Sequence, residues 1–128
     1  MSEQENLKTV QRFYNGASDG DIARLWSKLM TDDVDWIGPS IRRHGREQVV
    51  QLGKETLAAL EFQEFQPDEF IVGRDTVVVL GHERCLVRAT GRVVNANWAQ
   101  IFTLRNGMIC QFREYTDTAA WEAGVSKK

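Results

Sequence analysis

The hydrophobic period of this chain changes once, at Leu60, and that change limits what the chain can fold into. Before it, apolar residues recur at helical spacing; after it, they alternate with period two in long runs. Helices followed by a meander of strands is an α+β pattern, with helices laid on one face of a curved antiparallel sheet. Ser2 and Glu5 form a capping box, and Leu7, Val10, Phe13, Tyr14 and Ala17 share the face of a first helix. Ser18-Asp19-Gly20 stops that helix and Asp21 caps the next, whose stripe is Ile22, Leu25, Trp26 and Leu29. A short strand at Val34–Ile37 ends at Gly38-Pro39. A basic loop with Arg42, Arg43, His44 and Arg46 follows. A third helix from about Arg46 to Leu60 carries Val49, Val50, Gly53, Leu57 and Leu60 on one side. Glycine inside a helix costs roughly 1 kcal/mol against alanine, so Gly53 marks close packing.

In the second half, Pro67 restricts the Phe62–Val72 run to an edge strand or a bulge. Gly73-Arg74-Asp75 turns the chain into a strand from Thr76 to Thr90, and Gly91-Arg92 turns it into Val93–Leu104. Asn106-Gly107 is the strongest hairpin signal, leading to Ile109–Thr116. Asp117 caps a last short helix with Ala119, Ala120 and Trp121. With no repeat, linker or low-complexity segment, the pattern reads as a single domain over 1–128, long enough to bury a core without disulfide or metal.

Charge narrows the function classes. Lys plus Arg total 16 and Asp plus Glu 18, a net charge of −2, which argues against a dedicated binder of nucleic acid or anionic membrane. No apolar run approaches the roughly 20 residues of a membrane helix. The polar, acidic start MSEQENLK is no secretory signal, so Cys85 and Cys110 read as reduced thiols of a cytoplasmic protein. The usual zinc, nucleotide and serine-hydrolase motifs do not occur, and His44, His82 and Glu83 lack metal-ligand spacing. No cofactor and no metal is expected.

Alternation sorts the strand faces. Between Thr76 and Thr90 one face carries Val78, Leu80, His82, Arg84 and Leu86; the other carries Val77, Val79, Gly81, Glu83 and Cys85. A face joining Arg84, Trp98, Gln100, Phe112 and Glu114 would mix aromatic walls with a carboxylate, a cation and an amide, the composition of a small-molecule pocket. Desolvation in such a pocket raises the pKa of Glu114 toward the range useful for proton transfer, whereas pairing with Arg84 would lower it again. Gln100 can orient a carbonyl or an enolate, and Arg84 can act as electrophile or counter-ion. His82 can relay protons. Trp36, Trp98, Phe13, Tyr14 and Phe112 are candidate walls, and each serves equally as core.

The stretches VQRFYNGASDGDIARLWSKLMTDDVDWIGP and WAQIFTLRNGMICQFREYTDTAAW, with GRE opening the third helix, resemble the SnoaL-like branch of the NTF2-like superfamily. That group includes ketosteroid isomerase, polyketide cyclases and limonene epoxide hydrolase. The resemblance implies a cone, a strongly curved antiparallel sheet wrapped round three N-terminal helices, enclosing a hydrophobic pocket. It also implies a homodimer through the outer sheet face. The isomerase's oxyanion tyrosine follows a Gln-Arg pair; here Gln11-Arg12 is followed by Phe13, then Tyr14. Its base aspartate precedes a proline, where Gly38 stands here, and its second oxyanion donor falls at Gln100. The epoxide hydrolase's arginine matches Arg84 and one aspartate matches Glu114, but its other carboxylate falls at Leu86. The cyclases' acid/base residue matches Glu114, with Gln100 in place of a polar partner. The resemblance therefore implies a cofactor-independent acid/base enzyme on a small apolar molecule, cyclase- or isomerase-like. A hydrolase of the limonene epoxide type and a non-catalytic ligand-binding or dimerisation module are the alternatives.

Overall fold

The Ser2 hydroxyl accepts the Glu5 amide at 3.1 Å, so the capping box forms and opens α1 (Glu3–Asn15). Asp21 likewise accepts the Arg24 amide at 3.1 Å and caps α2 (Ile22–Leu29). The structure is a computed structural model that describes residues 2–15 and 21–127. Ala17 and the helix stop Ser18-Asp19-Gly20 lie outside the described residues. The remaining elements are β1 (Met30–Ile37), β2 (Arg42–His44), α3 (Arg46–Ala59), β3 (Leu60–Gly73), β4 (Thr76–Val87), β5 (Arg92–Arg105), β6 (Met108–Thr116) and α4 (Thr118–Val125).

The strands form one strongly curved, unclosed six-stranded sheet in the order β2-β1-β6-β5-β4-β3. The architecture is the expected α+β cone. One pairing differs from the expected antiparallel sheet, because β1 runs parallel to β6. The segment carrying Arg42, Arg43 and His44 is also not a loop. Gly38-Pro39 folds the chain back so that Gly38 donates to the Ile41 carbonyl, and the basic residues pair with β1 as an edge strand. Their charges are matched locally: Arg43 with Glu55 at 3.0 Å, His44 with Asp35 at 2.7 Å and Arg46 with Asp32 at 2.5 Å.

β3 is the other edge, and its register shifts at Pro67/Glu69, where proline has no amide to give the ladder. Asn106 and Gly107 both take positive φ, 54° and 78°, as a tight hairpin requires. The preceding turn is longer than the sequence suggests: β4 stops at Val87 and pairs with Arg92, leaving Arg88–Gly91 as the turn.

α1, α2 and α3 lie on the concave face. Val10, Phe13, Trp26, Leu29 and Val49 pack there against Val77, Val79, Phe102 and Phe112. Each fully buried side chain of this size contributes roughly 1.5–3 kcal/mol. Gly53 meets Trp26 there: a Cβ on Gly53 would lie 2.8 Å from the indole ring. At the far end of the sheet, α4 covers Val87, Val94 and Ala96 with Ala120 and Trp121.

Candidate active site

The concave face of β4, β5 and β6 holds the polar groups of the interior. Register decides which residues reach it. Gln100 on β5 pairs with Glu114 on β6 and with Val79 on β4, and residues directly opposite across a ladder share a face. The β4 row facing inward is therefore Val77, Val79, Gly81, Glu83, Cys85 and Val87.

That register corrects two placements. Arg84 stands on the convex face, exposed, where its Nε donates to Gln63 Oε1 at 3.2 Å. It does not share a face with Glu114 and does not pair with it. His82 is also convex; its Nδ1 lies 2.7 Å from Asp68 Oδ2 and its Nε2 2.8 Å from Glu64 Oε1, so it clips β4 to the edge strand across the Pro67 bulge. The Asp68 hydrogen bond, reinforced by Glu64, raises its pKa above the ordinary histidine value.

On the concave side the structure brings together Tyr14, Gln100 and Glu114. The Tyr14 hydroxyl donates to Gln100 Oε1 at 2.6 Å, and Gln100 Nε2 donates to Glu114 Oε2 at 2.6 Å. A carboxylate only accepts, so it draws the NH₂ end of the amide and leaves the amide oxygen for the phenol. The relay fixes all three side chains. Gln100 is 4% exposed. Burial raises the pKa of Glu114, opposed by the Gln100 hydrogen bond. Burial also raises that of Tyr14, helped by the Glu114 charge, so the phenol keeps its proton.

The side chains packed around this relay are aromatic. Trp98 stacks on Phe65 at 4.9 Å and on Tyr14 at 5.9 Å between ring centroids. Its indole lies flat over Gly81, where a Cβ would collide with the ring and with the Gln66 carbonyl. Trp98 is 3% exposed and its Nε1 has no hydrogen-bond partner. Phe13 packs against Tyr14, Trp26, Trp36, Phe102 and Phe112. Trp36 stacks on Phe112 at 3.6 Å.

Glu83 escaped the sequence reading as a site residue. It is 6% exposed, lies in an otherwise uncharged inward row and accepts from the Cys85 thiol at 3.1 Å. Burial pushes its carboxyl up to about 7, opposed by the Cys85 hydrogen bond, and the Glu114 charge adds a smaller rise. Burial first, then Glu83 and Glu114, push the Cys85 thiol up as well. None of the ion pairs among the described residues includes Glu83 or Glu114. An open cleft of about 340 Å³ is lined chiefly by the convex-face residues Glu64, His82, Asn95 and Asn97, together with Glu83, Ala96 and Asp117. Among the described residues no group of three or more His, Cys, Asp or Glu side chains is arranged so that it could hold a metal ion, and no helix is long and apolar enough to cross a membrane.

The SnoaL-like domain family matches residues 10–112. An NTF2-like protein from Burkholderia xenovorans LB400 superposes with a TM-score of 0.91 at 26% identity, over 98% of this chain and 99% of that chain. An NTF2-like protein of Burkholderia pseudomallei K96243 gives 0.87 at 24%, over 98% and 99%. A structure described as a SnoaL-like polyketide cyclase, from Jannaschia sp. CCS1, gives 0.85 at 24%, over 98% and 94%. No curated protein matches the sequence.

Proposed function

We propose that this chain, which belongs to the SnoaL-like domain family, is an acid/base enzyme needing no cofactor, acting on a small, largely apolar carbonyl compound in the manner of a cyclase or isomerase. The observation that carries this reading is the Tyr14–Gln100–Glu114 relay against an aromatic wall. Glu114 is the base. Its Oε2 is held by Gln100, and its Oε1 accepts nothing from the described residues and is left for a substrate proton. Raised by burial, its pKa lies closer to that of the proton it must take and later return. Tyr14 and Gln100 position it, and Trp98, Phe112, Phe13 and Trp36 provide the apolar walls. The chain is read as one SnoaL-like domain throughout.

Epoxide hydrolysis of the limonene type loses its arginine, because Arg84 points away from Glu114. A non-catalytic binding or dimerisation module draws support from the closely stacked rings that occupy the concave face. The convex face supports a homodimer: Leu80, Val93 and Tyr115 are exposed on it, and the Arg113 Nε is buried without a partner. Sedimentation velocity checks this, since Tyr115→Glu should yield monomer where the wild-type chain yields dimer; a monomeric wild-type chain refutes it.

The deciding experiment is a thermal-shift screen with dienones, phenolic polyketide mimics, steroids and terpene epoxides. A ligand at about 100 times its Kd adds about 2.7 kcal/mol. Turnover of a hit should fall about 10²–10⁴-fold in Glu114→Gln with the fold intact. Undiminished turnover in that variant rejects Glu114 as base, and ligand binding without any turnover favours the binding module.

A further inference from the structure

We propose that α4 is a lid over one end of the concave face, hinged at Thr116–Asp117 and latched by the β4–β5 turn, and that it opens while the sheet and α1–α3 stay folded. The inference stands apart from the acid/base reading above.

The interior is divided where the lid begins. The main core, under α1–α3, runs along the inward row of β4 as far as Val79 and along β5 as far as Trp98. The second core, under α4, holds Val87, Val94 and Ala96 with Leu60, Ala120 and Trp121. Gly81, Glu83 and Cys85 stand between the two on β4, and the Cys85 thiol donates to Glu83. That polar pair interrupts the apolar packing, so the small core can part without opening the large one.

α4 has little to hold it in place by itself. It is eight residues long, and an isolated helix shorter than about 12 residues is marginal in water. Gly124 lowers its propensity further. Gly124 is its one buried residue, Ala120 and Trp121 are half-buried, and Thr118, Ala119, Glu122, Ala123 and Val125 are exposed. Segments with few buried apolar contacts open before the fold as a whole.

The latch lies at the far end of the helix, where the last carbonyls have no partner within it. Thr90 Oγ1 donates to the Gly124 carbonyl at 2.7 Å, and Arg92 Nη1 donates to the Ala123 carbonyl at 2.9 Å. The guanidinium also brings a positive charge to the negative end of the helix. Gly124 seats flat on Val94, where a Cβ would collide with the valine side chain. The near end is fixed differently. Thr116 Oγ1 donates to the Asn97 carbonyl at 3.0 Å, and Asp117 caps α4 by accepting the Ala120 amide at 3.0 Å. The start of α4 thus stays on the sheet while its end swings.

Opening bares a thiol. Cys85 is fully buried and stands directly opposite Val94 on the same face, and Val94 is the seat of Gly124. With α4 swung away, Val94 loses its cover and Cys85 becomes reachable.

The test reads two rates on the full chain at increasing urea below the unfolding transition. One is iodoacetamide labelling of Cys85, resolved from Cys110 by peptide mass spectrometry. The other is amide hydrogen exchange in α4, with Val10 of α1 and Phe102 of β5 as references for the main core. The chains are wild type, Thr90→Val, Arg92→Met and Gly124→Ala. Each latch variant should speed Cys85 labelling and α4 exchange by the same factor, about 10-fold, and leave the Val10 and Phe102 amides unchanged. Gly124→Ala should speed both as well, although alanine is the better helix former, because its Cβ lifts the helix off Val94. Wild-type labelling should depend on urea far less steeply than global unfolding does, since a lid exposes little surface. Labelling that follows the full slope of global unfolding overturns the lid. So does faster α4 exchange with Cys85 labelling unchanged in both latch variants, because the helix would then fray without baring the row. Equal acceleration at Val10 and Phe102 overturns it too, because α4 would then open only with the whole fold.

Discussion

Replacing Glu83 by glutamine should stabilise the protein above neutral pH and leave it unchanged in acid. The folded state holds this carboxyl at about 7 against an ordinary glutamate value of 4.5. The folded chain therefore binds more protons than the unfolded chain between those values. Stability must fall as pH rises from about 4.5 to about 7, and stay at the lower level above that window. At 1.36 kcal/mol per pH unit, ionising Glu83 in the fold costs about 3 kcal/mol. Glutamine has the same shape, cannot ionise and still accepts from the Cys85 thiol. Urea denaturation of both chains should show equal stability near pH 4 and an advantage of up to about 3 kcal/mol for Glu83→Gln at pH 8.5, roughly 10 °C in melting temperature. A variant equally or less stable than wild type at pH 8.5 would refute the reasoning, because it would mean that a cation already neutralises Glu83.

Gly53→Ala sets two effects against each other. Helix propensity favours alanine by about 1 kcal/mol, but its Cβ would sit 2.8–2.9 Å from the Trp26 ring and 3.2 Å from Ile22 Cγ2. Overpacking costs about 1–3 kcal/mol and wins, so urea melts should show a net loss; a stabilised variant contradicts the packing. His82 has its pKa raised in the fold, chiefly by Asp68, so its contribution is complete below about 6.5 and is lost as pH rises through the raised value. Wild type and His82→Gln should therefore converge in stability as pH increases, and a pH-independent difference rejects the clip.

Much of the fold was legible because its signals are local. Capping by Ser2, Asp21 and Asp117, the Asn106-Gly107 turn and the Pro67 edge all follow from side-chain chemistry within a few residues. The parallel β1–β6 pair and the short β2 edge depend on distant partners and left no such signal. Gln100 and Glu114 lie opposite each other across the ladder, yet counting back from the hairpin alone would miss that pairing. Arg105 pairs with Met108, but a register shift at Thr103/Leu104 moves the ladder by one residue and so turns Glu114 inward. The Arg84 placement is the instructive error. Counting across a two-residue turn at Gly91-Arg92, or the observed four-residue turn, pairs Gln100 with an odd-numbered residue of β4. Parity thus puts Glu83, the charged member of an otherwise uncharged row, on the concave face and Arg84 on the other. Tyr14 was harder to place, since the adjacent Phe13 and Tyr14 both turn inward, one into the ring cluster and the other onto Gln100.

The most direct test of the central claim is the carboxyl titration of Glu114, read by NMR in protein labelled with ¹³C at glutamate Cδ, with Glu114→Gln to assign the signal. Burial raises the Glu114 pKa and the Gln100 hydrogen bond opposes that rise. The account predicts a midpoint above the ordinary 4.5, and a still higher one in Gln100→Leu, where the amide donor is gone. A midpoint at the ordinary glutamate value, unmoved by Gln100→Leu, would contradict a base held in a dry, amide-oriented site.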